Sequence, residues 1–462
     1  MRLFKMNEYQ KFIATKQLKT IDAGFDYACT HDWLFDYQKA CVEWATKRGK
    51  AALFLDTGLG KTNCELAWAE AVEGHTQKPV LILAPLCVSK QIQQEALKFN
   101  FDVIGARENE DIGDRGIYVT NYENLHNIDC GLFAGVVLDE SSILKGLDGK
   151  LRKRITEAFS QTPYRLSASA TPSPNDYMEL GTQSEFLGIM SQVEMLATYF
   201  IHDGADTSKW RLKGHGQKKF FEWLATWSVI MRDPSVFGFA KKPTLPPLNI
   251  EQITIESGVN DGLLPALAQS LSERNSARRD TVEARCKAAA DIANSIDGSV
   301  LVWCALNDEG DMLQSMIADS VQIAGSDKQE HKESRMMGFI DGTHRVLVSK
   351  PRIAGFGMNF QHCHNMIFVG LSDSWEQYYQ AVRRCWRFGQ TKQVNVYIIT
   401  ADIEGMVIEN IKRKDAQAEL MMSEMAKIAG DAFTDFSKAT SQTAAYNPTV
   451  TIKYPTWLKT GK

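Results

Sequence analysis

The sequence lacks several features that would narrow its class at once. No stretch approaches the ~20 apolar residues that a membrane span needs. The opening Met1-Arg2-Leu3-Phe4-Lys5-Met6 has no apolar run of the signal-peptide kind. The nine cysteines fall singly, with no C-x-x-C pair. That spacing argues against a disulfide framework or a zinc ribbon and suits a reducing compartment. Neither sign of charge dominates: 52 basic against 56 acidic side chains leave a formal net charge of −4. A nucleic-acid surface, if present, must then be a local basic groove on a neutral or slightly acidic body. No repeat of fixed period occurs. Together these absences point to a cytoplasmic, non-membrane protein. At 462 residues, 44% hydrophobic and 23% charged, the chain is ordinary globular material for two or three domains.

What is present is a rhythm of short apolar runs and helical stretches. Ala51–Leu55, Val80–Ala84, Ile117–Thr120 and Gly135–Leu138 are such runs, and the segment from Lys61 to about Val72 reads as a helix. The rhythm returns at 299–305, 346–349, 366–369 and 394–400. Continuous apolar strands alternating with helices imply buried parallel sheets, and two blocks imply two α/β lobes. Between them lies an aromatic-rich stretch, about 172–298, with Tyr199, Phe200, Trp210, Phe220, Phe221, Trp223 and Trp227. Its Lys242-Pro243-Thr244-Leu245-Pro246-Pro247-Leu248 segment cannot hold a regular helix or a central strand, which places the inter-lobe linker there. The expected division is a first lobe over 1–245 with a helical protrusion at about 185–240, a second lobe over 246–428, and a tail over 429–462.

Asp56-Thr57-Gly58-Leu59-Gly60-Lys61-Thr62 joins an expected strand to an expected helix. In that setting backbone N–H groups at Thr57, Gly58 and Gly60 and the helix N-terminus cradle phosphates, Lys61 reaches the β- and γ-phosphates, and Thr62 ligates Mg²⁺. A full phosphate-loop pattern would carry glycine at position 55, where leucine stands. Val136-Val137-Leu138-Asp139-Glu140 is an apolar strand ending in two acids. Carboxylates there face the crevice where α/β sheets bind ligands. Asp139 suits the metal, and Glu140 suits the attacking water. Gln380-Ala381-Val382-Arg383-Arg384-Cys385-Trp386-Arg387-Phe388-Gly389-Gln390 is read as a helix with arginines at i,i+3 and i,i+4. Like charges that close call for an anion opposite, and a γ-phosphate in transit is one. Because this segment lies in the other lobe, ATP would be clamped between lobes. His362-Cys363-His364 reads as a loop beside a strand, since adjacent residues do not easily converge on one metal.

At this point the residues resemble a family, the superfamily II helicases and specifically their Swi/Snf-type DNA translocases, over about 34–400. Leu34-Phe35-Asp36-Tyr37-Gln38 resembles the Q motif, which implies that Gln38 reads adenine. Asp56 to Thr62 resembles motif I in the family's own form, without the first glycine. Leu83-Ala84-Pro85-Leu86 and Thr120-Asn121-Tyr122-Glu123-Asn124-Leu125 resemble motifs Ia and Ib. Asp139-Glu140 resembles motif II, and Ser169-Ala170-Thr171-Pro172 with Asn175 resembles motif III. Val300 to Trp303, Gly355-Phe356-Gly357-Met358-Asn359 and Gln380 to Gln390 resemble motifs IV, V and VI. The resemblance implies two RecA-like parallel-sheet lobes with a helical insertion between motifs III and IV. It implies Arg384 and Arg387 as arginine fingers, Gln390 with them in the catalytic set, and Gly357 at the nucleotide. It also implies ATP and Mg²⁺ as cofactors and a largely sequence-blind grip on the DNA backbone by a monomer, with Lys90, Asn121, Tyr122, Arg352 and Asn359 as the expected contacts. Two departures stand out: Ser141-Ser142 follows motif II, and Pro351 precedes motif V. Rival readings are a strand-separating helicase, an ATP-gated nucleic-acid-binding switch, and a motor subunit of a restriction or defence assembly.

Overall fold

The computed structural model describes residues 22–427 except 146–148, 174–175, 204–205, 241–244, 257–280, 356–357, 373, 402–406, 408, 417, 421, 422, 425 and 426. Asn175, Gly357, residues 242–244 of the expected linker and the tail therefore lie outside the described residues. No helix among them is long and apolar enough to cross a membrane.

The first lobe opens with α1 (Asp36–Arg48), β1 (Lys50–Leu55) and α2 (Lys61–Thr76). There follow β2 (Val80–Ala84), α3 (Leu86–Lys98), β3 (Val103–Gly105), β4 (Ile117–Asn121), β5 (Gly135–Asp139), α4 (Lys150–Ala158) and β6 (Tyr164–Ala168). Its sheet is wholly parallel, in the order β3-β4-β2-β5-β6-β1-β9, the last strand being Ser228–Met231 from later in the chain. The apolar runs alternate between two cores. Ala51, Leu53 and Leu55 pack with Cys41, Trp44 and Trp68 from α1 and α2. Ala52 and Phe54 pack on the opposite face with Phe159, Phe186 and Trp223. Successive side chains point to opposite faces, so a strand covered on both must be apolar throughout.

The insertion after motif III holds the expected helices, α5 (Glu179–Leu187), α6 (Gln192–Tyr199) and, after a hairpin, α7 (Gln217–Trp227). The hairpin is β7 (Phe200–Asp203) with β8 (Asp206–Leu212), paired antiparallel. The chain then returns to the sheet as β9 (Ser228–Met231), parallel to β1. Phe220, Phe221, Trp223 and Trp227 are buried in the body of the lobe. The aromatic excess is thus mostly core: each large ring withdraws enough apolar surface to tie the insertion down.

The second lobe runs β10 (Leu248–Ile255), α8 (Val282–Ser295), β11 (Val300–Cys304), α9 (Asn307–Met316), β12 (Ser320–Ile323) and α10 (Gln329–Ile340). It continues with β13 (Val346–Ser349), α11 (Pro351–Ala354), β14 (Asn365–Val369), α12 (Trp375–Val382) and β15 (Val394–Ala401). Its parallel sheet is ordered β10-β15-β14-β11-β13-β12. Leu301 and Trp303 face one core, Val300, Val302 and Cys304 the other. Pro351 is the first residue of α11, a position where its missing N–H has no intrahelical partner to lose. That accounts locally for the proline before motif V.

Candidate active site

Lys61 and Glu140 lie at the C-terminal edge of the first sheet, where parallel sheets place ligands, and Arg384 and Arg387 face them from the second lobe. After β1 the chain turns through Gly58 (φ 83°) and Gly60 (φ 71°) into α2. Both glycines have left-handed backbone that a side chain disfavours. A Cβ on Gly60 would also run into the Gln38 amide. Gly60 caps α2 without any side-chain hydrogen bond, and no acid occupies its first turn. The N–H groups of that turn and the positive end of the helix dipole are left for an anion. Lys61 Nζ donates to the Leu55 carbonyl at 3.1 Å, which keeps the ammonium folded over the loop.

Gln38 is placed differently from its expected role. It is buried, its Nε2 donates to the Leu59 carbonyl at 2.9 Å and to the Tyr37 hydroxyl at 3.4 Å, and its Oε1 accepts from Phe35 N at 2.9 Å. Both ends of the amide are engaged, so in this structure Gln38 braces the phosphate loop.

Asp139 ends β5 and is 4% exposed. Burial first, and the Glu140 carboxylate second, push its pKa up to about 7. Behind it Glu65, on α2 four residues after Lys61, is fully buried. Burial and then the Asp139 carboxylate hold its pKa well above the usual carboxylate range, and neither of its oxygens has a hydrogen-bond partner. A carboxyl buried dry beside a second carboxylate favours its neutral form. Sequence reasoning missed Glu65. Its signal was the i,i+4 spacing from Lys61 within an otherwise apolar helix face. Glu140 adopts φ 52°, unusual for a glutamate, and its Oε2 is buried without a hydrogen-bond partner. Strain of this kind costs on the order of 1–3 kcal/mol and persists where the surroundings demand it. Tyr122 was expected at DNA. It is instead 2% exposed, and its hydroxyl donates to the Asp139 carbonyl at 2.6 Å. Its ring belongs to the core because it follows directly on buried β4.

The arginine-rich segment is not one helix. The helix α12 ends at Val382, and residues 383–389 form turns that close on Gly389 (φ 91°). The three arginines consequently diverge. Arg383 reaches Asp56 Oδ2 at 3.7 Å and lies over the Tyr379 and Trp386 rings. Arg384 is 3% exposed, and its Nε, Nη1 and Nη2 donate to Gln380 O (3.0 Å), Met358 O (3.2 Å) and Gln380 Oε1 (2.7 Å). Burial lowers its pKa to about 10, while the Glu140 and Asp139 carboxylates pull the other way. Arg387 is lowered too, chiefly by burial, and its Nε has no hydrogen-bond partner. Gln390, expected in the catalytic set, points elsewhere. Its Nε2 donates to the carbonyls of Gln361 (2.8 Å) and Cys363 (3.0 Å), which pins the turn, because a segment without helical bonds needs side chains to satisfy its carbonyls.

One cavity of about 400 Å³ brings the two lobes together. Thr57, Gly58, Gly60, Lys61, Thr62, Asp139 and Glu140 line it from the first lobe, Asn359, Arg384, Arg387 and Phe388 from the second. Unpartnered Glu140 Oε2 and Arg387 Nε, three cationic side chains and a bare helix N-terminus suit a polyphosphate with its metal. Asp139 and Thr62 would be the donors for Mg²⁺, which would supply charge neutralisation at the phosphates. Further contacts tie the lobes. Tyr379 donates its hydroxyl to Asp56 Oδ1 at 2.6 Å. Lys145 pairs with Glu376, Thr171 Oγ1 donates to Glu376 Oε1 at 3.4 Å, and Gln380 Nε2 donates to Thr171 Oγ1 at 3.3 Å.

Residues 283–389 match the family model described as helicase conserved C-terminal domain. The match falls on the second lobe and ends at the Phe388-Gly389 step of motif VI, beside the two finger candidates of this helicase-like chain. Among solved structures it is similar to the Sulfolobus solfataricus SWI2/SNF2 ATPase core in complex with dsDNA, at 16% identity and a TM-score of 0.42. That alignment covers 91% of this chain and 97% of that one. No curated protein matches the sequence.

The remaining DNA candidates sit along a different line. Lys90, Asn121 and Asn124 border a cavity of about 240 Å³ over the ends of β3 and β4. Lys90 and Asn359 border a larger one of about 600 Å³ between α3 and α10. Lys90 is paired with Glu333 of the second lobe. Asn121 Oδ1 accepts from Asn124 N at 2.8 Å, and Arg352 is exposed on α11.

Proposed function

We propose that this chain is a DNA-dependent ATPase that hydrolyses ATP between its two lobes and moves along duplex or single-stranded DNA. The observation that carries the reading is the shared cavity, in which phosphate-loop groups of one lobe face Arg384 and Arg387 of the other. In this reading Lys61 and the loop N–H groups bind the β- and γ-phosphates, and Thr62 and Asp139 hold Mg²⁺. Glu140 orients the attacking water and takes its proton. Arg384 and Arg387 offset the charge that develops on the transferred group. Each arginine acts only while the lobes are closed, so loss of the γ-phosphate weakens closure and the lobes part. In this reading Lys90, Asn121, Arg352 and Asn359 would hold a phosphate backbone, largely without reading bases. The lobe boundary at 245/246 is supported by β9 being the last strand of one sheet and β10 the first of the other.

The test is phosphate release with and without single-stranded, duplex and forked DNA. DNA should stimulate hydrolysis several-fold, and Lys61→Ala or Glu140→Gln should abolish it with unchanged folding. Slow hydrolysis indifferent to every DNA would favour a nucleotide-gated binding switch instead. Full activity in Glu140→Gln would remove Glu140 from its assigned role.

A further inference from the structure

The Lys145–Glu376–Thr171–Gln380 chain ends on Arg384, and its hydrogen-bond directions are not interchangeable. We propose that Glu376, which lies outside every motif named above, is the positioning residue that sets Arg384 by fixing those directions. The proposal rests on the ATPase reading.

Glu376, Gln380 and Arg384 follow one another at four-residue spacing on and just beyond α12, so the first two share a helix face. Glu376 is 3% exposed and Gln380 fully buried. As a carboxylate, Glu376 only accepts. It takes the Lys145 ammonium, from the turn after motif II, and the Thr171 hydroxyl proton, from motif III. A hydroxyl has one proton. Having given it to Glu376, Thr171 meets Gln380 as an acceptor, and Gln380 must present its Nε2 there. The other end of the amide, Oε1, then faces Arg384 Nη2 at 2.7 Å. Two lobe-one segments that flank the phosphate site thereby determine which way a lobe-two amide points, and so whether the guanidinium is accepted or repelled.

If Glu376 became glutamine, its carbonyl would go to the Lys145 ammonium and its NH₂ to Thr171. The threonine proton would then turn toward Gln380, the Gln380 amide would reverse, and its NH₂ would oppose the Arg384 guanidinium. Shape is conserved and polarity is inverted. A second change restores the match: Gln380→Glu accepts from Thr171 with one oxygen and from Arg384 with the other.

The experiment measures DNA-stimulated kcat and KM for ATP, with unfolding midpoints, for wild type, Glu376→Gln, Thr171→Val, Thr171→Val/Glu376→Gln and Glu376→Gln/Gln380→Glu. We expect Glu376→Gln to lower kcat about tenfold or more with KM little changed, the pattern of a lost transition-state interaction. Thr171→Val should lose as much and add nothing to Glu376→Gln, because both cut one relay. The double variant Glu376→Gln/Gln380→Glu should recover most of kcat. Wild-type activity with an unaffected Glu376→Gln, an effect confined to KM, or a double variant no better than the single one overturns the assignment of Glu376 alone. A wild-type protein with no ATP hydrolysis overturns the ATPase reading and this proposal with it.

Discussion

Replacing Arg384 by methionine should separate catalysis from stability. The guanidinium is almost wholly buried, and burial draws its pKa down from the ordinary arginine value to about 10. A gap of that size corresponds to roughly 3 kcal/mol by which the folded protein disfavours the charged form. The folded pKa lies below the unfolded one, so the unfolded chain binds more protons between the two values. Stability therefore rises as pH climbs above about 10, and at neutral pH the penalty is present in full. Against it stand three hydrogen bonds, to Gln380 O, Gln380 Oε1 and Met358 O, each contributing about 1 kcal/mol net. The two contributions nearly cancel. Methionine removes both, so the unfolding free energy should change by no more than about 1 kcal/mol. DNA-stimulated kcat should meanwhile fall by about 10³ to 10⁵, the range for an arginine finger. Urea unfolding and steady-state phosphate release on the same preparation decide it. A folded Arg384→Met protein that keeps kcat within tenfold refutes the finger role. A loss of several kcal/mol with unchanged kcat would make Arg384 a structural clamp between α12 and motif V.

Two further outcomes follow from ion pairs. Glu333→Gln should release Lys90 for a phosphate and tighten DNA binding by up to about fivefold at low salt, fading as salt rises, because a pair this exposed contributes under about 1 kcal/mol. Weaker binding in a fluorescence-anisotropy titration would show that Lys90 does not face DNA. Glu309→Gln should destabilise the second lobe by about 3–5 kcal/mol in urea unfolding, since it strips the counter-charge from fully buried Arg285, 2.8 Å away. A change under 1 kcal/mol would show that the pair is replaceable.

The two sheets were legible in the sequence because their central strands are apolar on both faces. Runs such as Val80–Ala84 and Val346–Ser349 announce themselves without any partner in view. Edge and short strands escaped notice: β3 has three residues, and β10 alternates with exposed polar residues at the rim of its sheet. The insertion's aromatics were visible, but their return to the sheet as β9 depends on pairing with β1, which no local pattern encodes.

The chemistry divides along the same line. Glycines that permit left-handed turns, a lysine and threonine at a helix start, and two acids ending an apolar strand are local facts, set by which backbone conformations and strand ends those residues allow. Local order could not say where a side chain's hydrogen bonds would go once it was buried. Only the folded chain sends Gln38 to the loop, Tyr122 into the core, Gln390 to its own turn, and the neighbouring Arg383 and Arg384 to different partners. Those choices depend on which donors and acceptors lose water together, and that is decided by segments hundreds of residues apart, such as Asp56 with Tyr379.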